Sequence, residues 1–106
     1  AALKKTMELG RQAIGTEADQ YLSFPEVKEI LLTSCMKNLG TLTHQLLIDY
    51  AEGVFPGGTT VMGTLSNEGV GLAPFHDYET QIPDSVKMKL NDIREGIISG
   101  TISTGW

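Results

Sequence analysis

The sequence predicts an α/β fold, a sheet with parallel neighbours and flanking helices, and three observations carry that prediction. A continuous apolar run, "ILLTS" (Ile30 to Ser34), has the pattern of a strand covered on both faces. Two other segments place apolar side chains at steps of three and four, one through Leu39, Leu42, Leu46 and Tyr50, the other through Val86, Leu90, Ile93 and Ile97. Strand and helix patterns alternate along the chain, and parallel strands need such helical crossovers.

The first residues, "AALKKTMELG", have the composition of the body and tail of a helix stopped by Gly10. Nothing ahead of Ala1 caps it, so the chain reads as starting inside an element. "RQAIGTEADQ" predicts a brief buried strand through Ala13 and Ile14 that stops at Gly15 and runs into a polar loop. "YLSFPEVKE" is a connection carrying Pro25, and "ILLTS" is a central parallel strand. Ser34 then serves as N-cap of a helix that Gly53 ends. "FPGG" turns the chain into the weakly alternating "TTVMGTL", and "SNEG" joins it to "VGLAPF", which predicts a hairpin or two neighbouring strands. A last helix covers Pro83 to Ser99 and ends at Gly100. There is no internal repeat.

Composition sets outer limits. A chain of 106 residues with 41% apolar and 20% charged residues is the length of one domain with one modest core. A net charge of −5 repels phosphate backbones, which disfavours nucleic acid as a partner. The single cysteine, Cys35, forms no disulfide within the chain and leaves a cysteine-based zinc site short of ligands. Following a buried strand, it is expected to act as a small buried hydrophobe. No apolar stretch approaches the ~18 residues of a membrane span.

Charge placement points to one rim of the sheet. Lys37 falls in the first turn of the helix expected after Ser34, where a cation typically costs about 0.3 to 1 kcal/mol. In an open α/β sheet that position lies beyond the carboxyl ends of strands, where ligands bind. Glu17 and Asp19 follow the first strand by the same logic. From spacing alone these residues make a solvated rim with an incidental ion pair worth about 0 to 1 kcal/mol. As a site, the carboxylates would accept from hydroxyl groups and the ammonium would donate to carbonyl or ring-nitrogen acceptors, which suits an uncharged polar ligand such as a sugar joined to a base. Ser34 has no evident base, and the separated His44 and His76 lack the clustered acids of a metal site, so neither catalysis nor a metal is expected. "GVGLAP" lacks the third glycine of a dinucleotide fingerprint, having Pro74 in its place. A phosphoacceptor receiver domain fails on order, because no strand ending in aspartate lies between the acids and the lysine.

With these residues assembled, the chain resembles the C-terminal part of the basic membrane protein family, extracytoplasmic lipoproteins that include purine nucleoside receptors of ABC importers. "AIGTEADQ" is similar to the family's I-G-x-D-x-D-Q segment and "LLTSCMKNLG" to its L-T-S-x-x-K-N-x-G segment. "GVFPGGTTVMGTLSNEGVGLAPFHD" is similar to its G-x-F-x-G-G strand region running into G-V-G-L-A-P, and "IREGIISGTI" to its closing helix. The resemblance implies a Rossmann-like partial lobe of a type I periplasmic-binding-protein fold, with a mostly parallel sheet and flanking helices. Residues 1–106 would then form a single domain, the C-terminal fragment of a two-lobe protein. It further implies that Glu17 or Asp19 holds ribose hydroxyls and that Lys37 contacts the base. Glu17 stands where the family has aspartate, and its extra methylene displaces the carboxylate by about 1.5 Å.

The expectations that follow are a non-catalytic receptor for a nucleoside-like ligand, without cofactor or metal. Its partner would be an ABC transporter permease, reached through the full-length protein. The location would be extracytoplasmic, with membrane anchoring through a lipidated N-terminus absent from this chain. The isolated fragment would leave edges and helix faces open and form a homo-oligomer. The rival readings are the effector-sensing module of a transcriptional regulator with the same fold, and an enzyme acting on nucleosides.

Overall fold

Glycines mark where the longer helices stop. In the computed structural model, which describes residues 2–105, helix α1 spans Ala2–Glu8; the uncapped start at Ala1 lies outside the described residues. Gly10, at φ 62°, closes α1 with the paired bonds Gly10 N–H to Met7 carbonyl (2.9 Å) and Arg11 N–H to Thr6 carbonyl (3.1 Å). This is the Schellman pattern, which needs a left-handed residue and so favours glycine. Gly53, at φ 76°, ends helix α3 (Leu39–Ala51) with the same pair of bonds, from Gly53 N–H to Tyr50 and from Val54 N–H to Asp49.

The sheet has three strands in the order β1 (Ala13–Glu17), β2 (Leu31–Lys37), β3 (Val70–Leu72). β1 and β2 are parallel, and β3 is antiparallel to β2. The crossover between the parallel strands is a short helix, α2 (Gln20–Ser23), followed by a 3₁₀ turn at Pro25–Ile30. The α/β class and the central place of the "ILLTS" strand are as the sequence predicts. The core lies under this crossover: Val27, Ile30 and Leu31 are buried against Leu3, Ala13 and Phe24. Burying side chains of this kind stabilises by about 1.5 to 3 kcal/mol each.

Several local expectations are corrected. β1 does not stop at Gly15 but runs on to Glu17, and it is an edge strand in which only Gly15 is buried, Ile14 being 57% exposed. Gly15 is buried because α2 passes directly over it. A Cβ there would collide with the Ser34 hydroxyl and lie 2.6 Å from the Gln20 side-chain oxygen. β2 likewise continues past Ser34 to Lys37, since Cys35, Met36 and Lys37 pair with β3 and that pairing overrides the local helix signal. Ser34 therefore does not cap α3. Its buried hydroxyl instead accepts from the Gln20 N–H at 3.1 Å, the first helical residue of α2. Asn38 holds the N-cap position of α3 without a side-chain cap bond, and its amide NH2 donates to the Glu68 carbonyl at 2.7 Å.

Cys35 is exposed, contrary to the buried reading. The cover over β2 reaches only as far as Thr33 and Ser34, and the strand end beyond is open. The predicted hairpin partner of β3 is not formed either. The Asn67 side chain takes the backbone groups that a ladder would have used: it accepts from Thr64 N–H (2.8 Å) and Gly69 N–H (3.0 Å) and donates to the Met62 carbonyl (2.9 Å). A local side-chain turn thus competes successfully with strand pairing.

Helix α4 spans Asp84–Ile98 and stops before Gly100 at φ 78°, as the pattern predicts. Neither α3 nor α4 buries a residue fully. The radius of gyration, 16.7 Å, exceeds the roughly 13 Å of a compact domain of this length, so these helices stand away from the small core.

Candidate functional site

The carboxyl ends of the two parallel strands bring Glu17 and Lys37 together. Each is the last residue of its strand, and the Lys37 Nζ donates to Glu17 Oε1 at 2.8 Å. Lys37 is thus a strand-end residue and not part of a helical first turn, so the helix-dipole cost does not apply. Both side chains are more than half exposed, at 59% and 62%, and a pair so open to water contributes about 0 to 1 kcal/mol. The pair is accordingly cheap to open. Glu17 Oε2 accepts from no described residue, and the lysine keeps two further donors.

The strand ends are shaped by backbone that few side chains adopt. Among the described residues three non-glycine positions have positive φ: Glu17 (72°), Glu68 (56°) and His76 (46°). Register places Glu17 opposite Met36, whose side chain points to the other face from Lys37. The left-handed φ at Glu17 breaks that alternation, and the ion pair closes around the end of the sheet. On the other side Lys37 pairs with Val70, and the Asn38 N–H donates to the Gly69 carbonyl at 2.9 Å. A Cβ on Gly69 would collide with Gly63 Cα, so a glycine is needed at this close crossing.

Asp19 is placed differently from Glu17. Its Oδ1 accepts from the Tyr21 N–H at 3.1 Å, capping α2, and its Oδ2 lies 2.8 Å from His76 Nε2. Asp19 and His76 are much less exposed than the rim pair, at 16% and 21%. The His76 ring stacks on Tyr21 with centroids 4.0 Å apart and planes at 11°. The Tyr21 hydroxyl donates to Asp77 Oδ1 at 2.9 Å, and Lys28 Nζ sits 5.7 Å from the centre of the Tyr21 ring. The hydrogen bond to Asp77, with partial burial and the nearby negative charge, raises the Tyr21 pKa above 10.0. Sequence reasoning missed His76, which lies 57 residues from its partner. The only local signal was a histidine beside an acid in the "PFHD" turn. His44 lies exposed on α3.

An open, mainly apolar groove of about 720 Å³ lies between α4 and the end of β3, lined by Leu72, Phe75, Leu90, Ile93 and Ile97 among others. It touches neither Glu17, Asp19 nor Lys37, and it is the space into which the apolar stripe of α4 faces. Among the described residues no three His, Cys, Asp or Glu side chains converge as a metal site, and no helix is long and apolar enough to cross a membrane.

Comparison with known proteins agrees with the arrangement of segments. The sequence model of the family described as ABC transporter substrate-binding protein, PnrA-like, matches residues 1–105. A relative from Lactococcus lactis subsp. cremoris, the ABC transporter nucleoside-binding protein BmpA, is 34% identical over 92 residues, covering 81% of this chain. The chain spans 26% of the length of that relative.

Proposed function

This chain belongs to the PnrA-like ABC transporter substrate-binding protein family, and from that premise we propose that it forms part of the ligand cleft of a non-catalytic nucleoside receptor serving an ABC importer. In this reading the chain is one part of a two-lobe extracytoplasmic protein, anchored through a lipidated N-terminus outside this sequence, whose closure on the ligand signals occupancy to the transporter. Purine nucleosides are the ligand class. The apolar faces of α3 and α4 pack against the remainder of that protein.

The observation that supports this reading is the Glu17–Lys37 pair at 2.8 Å, placed where open α/β sheets bind ligands. Its low worth as a surface ion pair gives no structural reason for the juxtaposition. In the proposed complex the Glu17 carboxylate accepts from the ribose hydroxyls, and the Lys37 ammonium donates to an acceptor on the base. A nucleotide would bring phosphate toward acidic side chains and bind less well. Calorimetry of the whole protein with adenosine checks the assignment: Lys37→Ala should weaken binding about tenfold or more, the size of a hydrogen bond to a charged group. Unchanged affinity would remove Lys37 from the site. Loss of hydroxyl recognition should appear as weaker binding of 2′,3′-dideoxyadenosine by the unaltered protein.

A further inference from the structure

Glu17 does not hold its conformation unaided. Its φ of 72° coincides with a hydrogen bond from Ala18 N–H to the Thr16 carbonyl at 2.9 Å, spanning a three-residue turn centred on Glu17. An i to i+2 bond about a positive-φ residue is the strained form of the γ-turn, which persists only when its surroundings over-determine it. The chain beyond the turn is fixed at once. Thr16 N–H donates to Gln20 Oε1 at 3.3 Å, Gln20 N–H donates to the buried Ser34 hydroxyl, and Asp19 caps α2 while contacting His76 Nε2 at 2.8 Å. His76 is itself at φ 46° and stacked on Tyr21, so both ends of the Asp19–His76 contact are tied down.

We propose that Asp19 and His76 are positioning residues for ligand binding: their half-buried contact clamps the turn that aims the Glu17 carboxylate along the sheet end, at Lys37 and at the ligand's hydroxyls. This rests on the ligand reading of Glu17 and Lys37 given above. Asp19 does not itself touch the ligand. Each of its carboxylate oxygens already has a partner, one in the α2 cap and one in the imidazole, which divides the work of the two acids: Glu17 meets the ligand and Asp19 holds the loop.

A double-mutant cycle on the whole protein with adenosine as probe, read by calorimetry, tests this. His76→Asn is a suitable change because asparagine tolerates positive φ while lacking the ring and its reach. The expected result is that Glu17→Gln and His76→Asn each weaken adenosine binding about tenfold, and that the double variant is no weaker than Glu17→Gln alone. Tyr78→Phe, which removes only the 2.6 Å bond from that hydroxyl to the Glu29 carbonyl, should leave affinity unchanged. His76→Asn with undiminished affinity, an equal further loss in the Glu17→Gln background, or a matching loss in Tyr78→Phe each overturns the proposal while leaving Glu17 in the site. A Glu17→Gln variant that binds adenosine normally overturns the ligand reading and the proposal together. If His76→Asn lowers the melting temperature, Asp19→Asn, which keeps an acceptor for the Tyr21 N–H, takes its place with the same outcomes.

Discussion

The segment from α1 to the end of β2 and the segment from α3 onward solve the problem of burial in opposite ways. In the first, a 3₁₀ turn and a short helix cover two parallel strands closely enough that Val27 and Ser34 are almost wholly excluded from water. In the second, two longer helices with regular apolar stripes leave the stripe residues Leu39 at 67%, Tyr50 at 71% and Val86 at 45% exposure. Periodicity alone therefore does not bury a helix face. Order in the first segment comes from close backbone approaches and hydrogen bonds, and the Glu17–Lys37 pair stands on those strands. The Glu17–Lys37 pair is thus carried by the segment that packs against itself.

Truncating the two halves should break the symmetry most visibly. Val27→Ala removes two methyl groups from a fully buried position and should cost about 2 to 3 kcal/mol, measured by urea unfolding. Leu39→Ala, on the apolar stripe of α3, should change stability by less than about 0.5 kcal/mol. Equal costs would mean that α3 is packed in solution, and the contrast between the segments would fall.

Glycine replacements sharpen the same contrast at slightly smaller scale. Gly15→Ala must displace the Ser34 hydroxyl and the Gln20 side chain, and overpacking of this kind costs about 1 to 3 kcal/mol. Because it pushes on α2, it should also weaken adenosine binding by the whole protein. Gly40→Ala lies in the first turn of α3 with nothing within 4 Å of the new Cβ, and should be neutral or stabilise by up to about 1 kcal/mol. Thermal unfolding of the two variants gives the comparison directly, and opposite signs are the expected result.

What the sequence made legible follows the same division. The apolar run at Ile30 to Ser34, the helix stripes and the stops at Gly10, Gly53 and Gly100 are local signals, and each describes the structure. The gathering of Glu17 with Lys37 was readable because strand ends and charge placement are both visible in one dimension. The local pattern nonetheless predicts a helix at Lys37, since the pairing of Cys35, Met36 and Lys37 with residues 70–72 is set by a strand over thirty positions away. The roles of Ser34 and His76 were hidden for a related reason: one caps a helix earlier in the chain, the other meets Asp19 across 57 residues. The hairpin failed because nothing in "TTVMGTL" announces that one asparagine, Asn67, will take its backbone bonds.

The smallest expected effect tests an aromatic that links the two segments. Tyr21 belongs to α2, and its hydroxyl donates to Asp77, beyond β3. The neutral phenol can make that bond and the phenolate cannot, so the folded pKa is raised above the unfolded 10.0, with the Asp77 hydrogen bond as the first cause. For a raised pKa the stabilising contribution is fully present below pH 10.0 and disappears as pH rises through the folded value. Carbon-13 labelling at the tyrosine ζ position resolves Tyr21 from Tyr50 and Tyr78 in an NMR titration. Asp77→Asn should lower the Tyr21 midpoint toward 10.0. Asparagine still offers a carbonyl acceptor, but it lacks the charge that opposes the phenolate, so the shift will be partial. A Tyr21 midpoint indifferent to Asp77 would mean that in solution the His76 segment is not drawn onto α2, and the clamp on Glu17 would lose one of its two anchors.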